Sequence, residues 1–329
     1  MKTAVVILNY NTEDYLRRFL PGLLASCKGQ DAEVIVADNA SSDGSAALMK
    51  AVFPDVKYIQ LEENYGYTGG YNRALQEIDS EYFILINSDI EVPDGWLQPL
   101  VEWMDSHPDC GACGPKLLDY NARDTFEYAG AAGGRLDRYG YPFCRGRVLQ
   151  HIEKDCGQYD KPANVLWVSG ACLMVRGSVW KELGGLDERF FAHMEEIDLC
   201  WRMQLRGWKV TLVPASHVYH IGGGTLPNES PFKLRLNFRN NLLLLENNLP
   251  ATLGSRGRAR RRIFTRMCLD GLSALIYLMS GRWNFYKSVL QAHREYRQLR
   301  RPGEIPQSPC KPEGLYEGWI LPRALFGKK

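Results

Sequence analysis

The stretch Thr3–Leu16, TAVVILNYNTEDYL, decides the fold. Ala4–Leu8 is a short apolar run rich in β-branched residues. Such a run reads as a strand buried on both faces. It ends in polar residues at Asn9 and Asn11. Thr12 then stands where a helix cap is expected, and Leu and Phe recur at helical spacing through TEDYLRRFLPGLLAS. The turn between strand and helix contains no glycine, so neither a dinucleotide fingerprint nor a P-loop is present. A nucleotide bound here is not held by a glycine-rich first loop.

Moving outward, the pattern repeats. AEVIVADNAS is a second buried strand ending at Asp38, and SDGSAALMKAVF starts a helix. VKYIQLEEN is a third strand, followed by NYGYTGG and the helical GYNRALQEI. EYFILINSD is a fourth strand ending at Asp89. Strands alternating with helices predict an α/β protein with a mainly parallel sheet. Ligands of such sheets bind beyond the carboxyl ends of the strands, where Asn11, Asp38 and Asp89 fall.

The middle of the chain is less regular. Residues 114–162, rich in Gly, Tyr and Arg, read as loops with short strands. NVLWVSGACLMVRGSVW reads as a strand broken at Gly170-Ala171. A final strand ends near His220. Beyond Leu226 the pattern is helical to about Arg301, and the Pro-rich tail from Pro302 reads as extended.

Composition narrows the class. The 329 residues are 45% hydrophobic and 24% charged, which is ordinary for a globular protein. No secretory leader and no uncharged apolar window of spanning length is expected. Nine cysteines are scattered, with one C-x-x-C at Cys110–Cys113 and no second pair at zinc spacing. That usage fits a reducing, cytoplasmic setting. Charge is uneven. Ser255–Arg301 holds twelve Lys and Arg against Asp270 and Glu295, a net of +10, so with +2 overall the remainder carries −8. Two readings of this segment stand side by side. One is the solvated face of a helical extension. The other is a basic amphipathic module on the inner, anionic face of the cell membrane. No recognised nucleic-acid motif is present.

The stretch FFAHMEEIDLCWRMQLRGW, Phe190–Trp208, gathers Glu195, Glu196 and Asp198 ahead of a helix. Acids there suit the helix dipole. Asp198 and Arg202 are i,i+4 partners, which gives Asp198 a structural reading. Ile197, Trp201, Leu205 and Trp208 form one apolar stripe. Taken singly, Asp38 is also an Asx-turn residue, Asp89 a turn residue and His220 a core or loop histidine.

In order, VVILNYN, VIVADNASSDGS, NYGYTGGYNRAL, YFILINSDIEVPDGWL, the VSGACLMV…MEEIDLCWRMQLRGW segment, and HVYHIGGGT followed by FRNNLLLLENNLP resemble the family 2 glycosyltransferases, which have the GT-A fold. The sub-pattern is most similar to bacterial rhamnosyltransferase-type members. The resemblance implies a Rossmann-like, mainly parallel mixed sheet flanked by helices, with a C-terminal helical extension. The resemblance covers roughly Thr3 to Leu249, and the change of pattern after Leu226 divides the chain into a catalytic domain over residues 1–226, a basic helical extension over 227–301 and a tail over 302–329. It implies inverting transfer from a pyrimidine nucleotide-diphosphate sugar, dTDP-rhamnose first, to a saccharide or lipid-linked saccharide in cell-surface polysaccharide synthesis. A UDP-hexose or UDP-galactofuranose donor is the alternative, as is a catalytically silent binder of sugar nucleotides.

Residue by residue, the resemblance assigns Asp38 to the pyrimidine, with Asn11 and Glu13 near base or ribose. Asn64, Gly66, Gly70 and Asn72 match the loop that passes the nucleotide. Asp89 matches the last acid of the DxD motif, here Asn87-Ser88-Asp89, with Ser88 assigned to the donor. Asn87 replaces the first acid and leaves fewer protein ligands for the Mg²⁺ or Mn²⁺ expected at Asp89 and His220. Gly170 and Ala171 line the sugar pocket. Glu196 matches the general base, with Glu195 and Asp198 in support.

Overall fold

In the computed structural model, residues 1–222, 230–301 and 311–326 are described. The chain opens β1 (Thr3–Asn9), α1 (Glu13–Cys27), β2 (Ala32–Asp38), α2 (Ser45–Val52), β3 (Lys57–Gln60), α3 (Gly66–Gln76), β4 (Tyr82–Ile86), β5 (Ile90–Glu91) and α4 (Gln98–Ser106). There follow β6 (Cys110–Asp119), β7 (Gly134–Asp137), β8 (Pro142–Cys144), β9 (Arg147–Val148), β10 (His151–Ile152), β11 (Ala163–Asn164) and β12 (Cys172–Arg176). Then come α5 (Gly177–Leu183), α6 (Glu195–Leu205), β13 (Lys209–His220), α7 (Pro231–Leu253), α8 (Arg256–Met279), α9 (Trp283–Leu299), β14 (Leu315–Tyr316) and α10 (Ile320–Phe326).

The main sheet is mixed, in the order β11-β13-β6-β12-β4-β1-β2-β3, with β5 on β13. Strands β4, β1, β2 and β3 run parallel, as the alternation of strands and helices predicts. Strand β12 enters antiparallel between β4 and β6, and β13 lies parallel to β6. Successive residues of β1 feed opposite faces. Ala4 and Val6 join the core containing Tyr71, Ala74 and α6, whereas Val5 and Ile7 join the core containing Leu16, Leu20 and Leu23 of α1. This is period-two alternation buried on both sides, which explains the unbroken apolar run.

Three expectations need correction. Thr12 does not cap α1; its hydroxyl donates to Asn9 Oδ1 at 2.5 Å, and the Glu13 N–H is taken by Asp43 Oδ2 at 2.9 Å. The free N–H is satisfied by a neighbouring loop rather than by the local cap. Helix α6 carries more than one apolar stripe, because Leu199, Cys200 and Met203 are buried along with Ile197, Trp201 and Leu205. Helix α7 packs against the face that carries Trp201, whose Nε1 donates to Thr252 at 3.0 Å. The tail is not simply extended. Strand β14 runs parallel to β7 on a second, five-stranded sheet, β10-β9-β8-β7-β14, and α10 follows it. The end of that turn is fixed by Ile320 N–H donating to buried Asp137 at 3.0 Å. The expected boundary at residue 226 lies outside the described residues.

Candidate active site

Strands β1, β2 and β4 end side by side, so their last residues face one crevice. Asp38, fully buried, accepts from Asn9 Nδ2 at 2.7 Å, from the Ser41 N–H at 2.7 Å and from Gln60 Nε2 at 3.1 Å. The Asx-turn reading and a crevice position thus hold together. Asn11 has a left-handed φ of 54°. Its Oδ1 accepts from the Ser42 N–H at 2.7 Å, tying the end of β1 to the loop after β2. Glu13 lies beside Gly44, where an added Cβ would meet its carboxylate, and pairs with Arg17 at 2.8 Å.

The NYGYTGG segment forms the start of α3. Asn64 Oδ1 accepts from Asn39 Nδ2 at 3.0 Å and from the Gly66 N–H at 2.9 Å. Gly66 has φ +70°, and a Cβ there would lie 2.5 Å from the Phe191 ring. Gly70 packs on Leu8, where a Cβ would sit 2.8 Å from its methyl groups. Asn72 is committed elsewhere. Its amide exchanges bonds of 2.8 and 2.9 Å with the Leu186 backbone and so joins α3 to the loop before α6. Asn72 is not brought together with the other donor candidates by these contacts.

Ser88 and Asp89, both buried, follow β4. Asp89 Oδ1 stands 3.2 Å from His220 Nε2, and Glu127 Oε1 stands 3.4 Å from His220 Nδ1. Burial alone would lower the His220 pKa, but the contacts to Asp89 and Glu127 outweigh it and push it up to about 10. Burial likewise opposes ionisation of Asp89, yet the bond from His220 holds it below the usual carboxylate range. Both contacts favour a proton on His220, and a metal cation at Nε2 would take the place of that proton.

These residues fit a divalent metal. Two adjacent ligands on one octahedral cation have donor atoms about 3 Å apart, which is the spacing of Asp89 Oδ1 and His220 Nε2. Among the described residues no group of three His, Cys, Asp or Glu gathers to hold an ion. Such a cation would therefore complete its shell with phosphate oxygens and water, as Mg²⁺ commonly does.

Helix α6 brings the acids. Gly170 lies against it, since a Cβ on Gly170 would be 3.5 Å from Glu196 Cβ and 3.1 Å from the Tyr67 hydroxyl. That hydroxyl donates to the Gly170 carbonyl at 2.6 Å. Ala171 follows as the last residue before β12, its carbonyl accepting from the Asn87 N–H at 2.9 Å. The Glu196 Oε2 and Glu195 Oε2 atoms are buried and make no hydrogen bond with described residues. Burial pushes Glu196 up to about 7. Burial, and then the charge of Glu196, raises Glu195 well above its usual range. A raised carboxylate with one buried oxygen left without a partner has the profile of a general base.

Asp198 points the other way. Fully buried, it accepts from Arg202 at 2.7 Å, Asn247 at 2.9 Å and Asn248 at 2.8 Å. It joins α6 to α7, as the structural reading of Asp198 expects.

Four contributors escaped the sequence reading. Glu127 lies in the irregular middle, where no periodicity marks it. Tyr67 was hidden among the glycines of its loop. Arg239 and Asn240 belong to the FRNN motif, in which no local pattern marks a role. Asn240 shares its amide among the carbonyls of Phe190 at 2.9 Å, Ala192 at 2.7 Å and His193 at 2.8 Å. Arg239 adds bonds to the carbonyls of Arg189 at 3.1 Å and Phe190 at 2.8 Å. This loop carries three non-glycine residues at positive φ: Phe191 (62°), His193 (72°) and Met194 (72°). The clamp from α7 holds that strained backbone and so sets where α6 begins.

Residues 4–164 match the family model of Glycosyl transferase family 2. Those residues, just under half of the chain, form a family 2 glycosyltransferase domain. The chain's relatives agree. It is 27% identical over 232 residues to the N-acetylglucosaminyl-diphospho-decaprenol L-rhamnosyltransferase of Mycobacterium tuberculosis, covering 66% of this chain and 75% of that one. It is 25% identical to the rhamnosyltransferase WbbL of Escherichia coli, covering 66% and 82%. Among solved structures it resembles a mannosyltransferase of Pyrobaculum calidifontis in complex with GDP-Man and Mn²⁺, with TM-score 0.55, 13% identity and coverage of 91% and 88%. GalNAc-T7 with UDP, GalNAc and Mn²⁺ gives TM-score 0.58 at 17% identity, covering 75% of this chain and 48% of that one. The chain thus spans about half of GalNAc-T7. These likenesses establish the GT-A fold, and this glycosyltransferase has the mixed sheet and C-terminal helices expected from its sequence.

Proposed function

We propose that the enzyme transfers a sugar, with inversion, from a pyrimidine nucleotide-diphosphate donor to a saccharide acceptor, and that dTDP-rhamnose and a lipid-linked saccharide are the natural pair. The observation that carries the reading is the buried Oε2 of Glu196, which makes no hydrogen bond with described residues and lies beside Gly170. The rhamnosyl donor and the lipid-linked acceptor are favoured by the names of the relatives in Mycobacterium and Escherichia.

The acceptor hydroxyl attacks C1 of the sugar. The new C1–O bond forms as the bond from C1 to the diphosphate oxygen breaks, and the hydroxyl proton passes to Glu196. A single displacement inverts C1. Asp89 and His220 would hold a Mg²⁺ or Mn²⁺ ion, which when bound neutralises charge on the leaving diphosphate. Asp38, with Asn11, Glu13 and the Asn64–Gly70 loop, would seat the nucleoside, while Ser88, Gly170 and Ala171 would border the sugar. Glu195 supports the site next to Glu196. Asn72 would act by fixing α3 rather than by touching the donor.

The division we propose is a catalytic unit over residues 1–226, a helical extension over 227–301 and a tail over 302–329. Cytoplasmic action belongs to the same reading, supported by the free thiols of the eight cysteines among the described residues.

A panel of dTDP-rhamnose, UDP-hexoses and UDP-galactofuranose, each with Mn²⁺, tests the donor. Turnover of dTDP-rhamnose above the others is expected. Preference for a UDP-sugar would replace the donor assignment. Binding without turnover of any donor, on every acceptor tried, would favour the silent reading that Asn87 raises.

A further inference from the structure

Helix α8 has two opposed faces. Ala259, Ile263, Arg266, Asp270 and Ala274 are buried. Arg266 donates to Asp270 at 2.7 Å, and His293 of α9 lies 3.2 Å from the other Asp270 oxygen. These contacts fix which way the helix faces. At about 100° per residue, the side opposite is occupied by Phe264, Leu272, Leu275, Ile276 and Met279. All five are exposed, Met279 by 72% and Phe264 by 67%. Trp283, exposed by 59% just past the turn into α9, extends the strip. Such a length of outward apolar side chains exceeds the scattered single residues normal for a surface.

Charge surrounds this strip. Arg258, Arg260 and Arg261 are exposed at its start and Lys287 just beyond its end. Within α8 and α9 the acids are Asp270, which is buried, and Glu295, which pairs with Arg235 and Arg239. No described helix is long and apolar enough to cross a membrane. An apolar face flanked by exposed arginines, on a helix lying along the surface, suits an interface that is apolar within and anionic at its edge. A second copy of the same face would set like charges near one another.

We propose that the outward face of α8, with Trp283, docks on an anionic lipid surface. The strip enters the acyl boundary, and Arg258, Arg260, Arg261 and Lys287 meet the headgroups. This goes beyond the transfer reading and does not depend on it.

The test is co-sedimentation of the full chain with phosphatidylglycerol–phosphatidylcholine vesicles and with pure phosphatidylcholine vesicles, at low and high salt. Binding to the anionic vesicles that weakens with salt is expected. The double variant Ile276→Glu/Met279→Glu, at exposed positions, should lose binding while keeping its circular dichroism and its donor hydrolysis. Arg258→Ala/Arg260→Ala/Arg261→Ala should bind anionic vesicles roughly fivefold more weakly for each arginine removed. No binding to anionic vesicles at low salt would overturn the proposal, as would binding unchanged in the double variant. A dimer seen by light scattering and broken by Ile276→Glu/Met279→Glu would overturn it in favour of a second copy.

Discussion

The side-chain amide of Asn240 donates to the carbonyl of His193 at 2.8 Å, so α7 holds the strained residue two positions before Glu195. Replacing it by alanine leaves up to three loop carbonyls without this partner. Asn240→Ala is expected to destabilise the fold by about 1–3 kcal/mol, the cost of orphaned buried polar groups. It is also expected to lower kcat more than it raises donor KM, because the start of α6 shifts. Denaturant unfolding and steady-state kinetics check both, and unaltered stability would remove the clamp.

Gly66 is a second fixed point. Its φ of +70° and the Phe191 ring at 2.5 Å from any Cβ leave no room for a side chain. Gly66→Ala should cost at least ~1–2 kcal/mol from backbone handedness alone, with the clash added. Thermal unfolding of the variant is the measurement.

The raised acids give a pH dependence. Ionised Glu196 is the active form, so kcat/KM should rise about tenfold per unit up to pH about 7 and level above it. Stability runs the opposite way. Between its unfolded value near 4.5 and about 7, Glu196 binds more proton when folded. Folding therefore loses stability as pH rises through that window. Glu195, raised in the same direction, adds to it. Glu195→Gln should raise the Tm above pH 7 by a few degrees and leave it little changed at pH 4.5. A Tm lowered at all pH values would contradict the assignment.

The pairing of Asp89 and His220 predicts a metal requirement. Chelation should abolish transfer, and added Mn²⁺ or Mg²⁺ should restore it. Asp89→Asn should weaken donor binding in the presence of Mn²⁺ far more than in its absence. Calorimetry with and without metal separates the two, and equal affinities would exclude Asp89 as a ligand.

What was legible in the sequence follows from range. Strands β1, β2 and β4 announce themselves by apolar runs, and a buried parallel strand needs no partner to look like one. Asp198 and Arg202 were readable because four residues on a helix make neighbours. Glu127, Tyr67 and Asn240 were not, since their places depend on contacts between elements far apart in the chain. Asn240 serves backbone carbonyls nearly fifty residues away, and no local pattern encodes that. Thr12 misled for a similar reason: a local cap lost to Asp43 from the adjoining loop. Strand β6 was obscured because Cys110–Asp119 includes two glycines and a proline, yet β12 and β13 pair on either side of it.

The central claim is that Glu196 takes the proton of the acceptor, and Glu196→Gln tests it most directly. The amide keeps the shape and removes the charge. The expected result is a fall in kcat of about 10²–10⁴-fold, with donor affinity and Tm at pH 6 essentially retained. Turnover close to that of the unaltered enzyme, with the fold intact, would contradict the account.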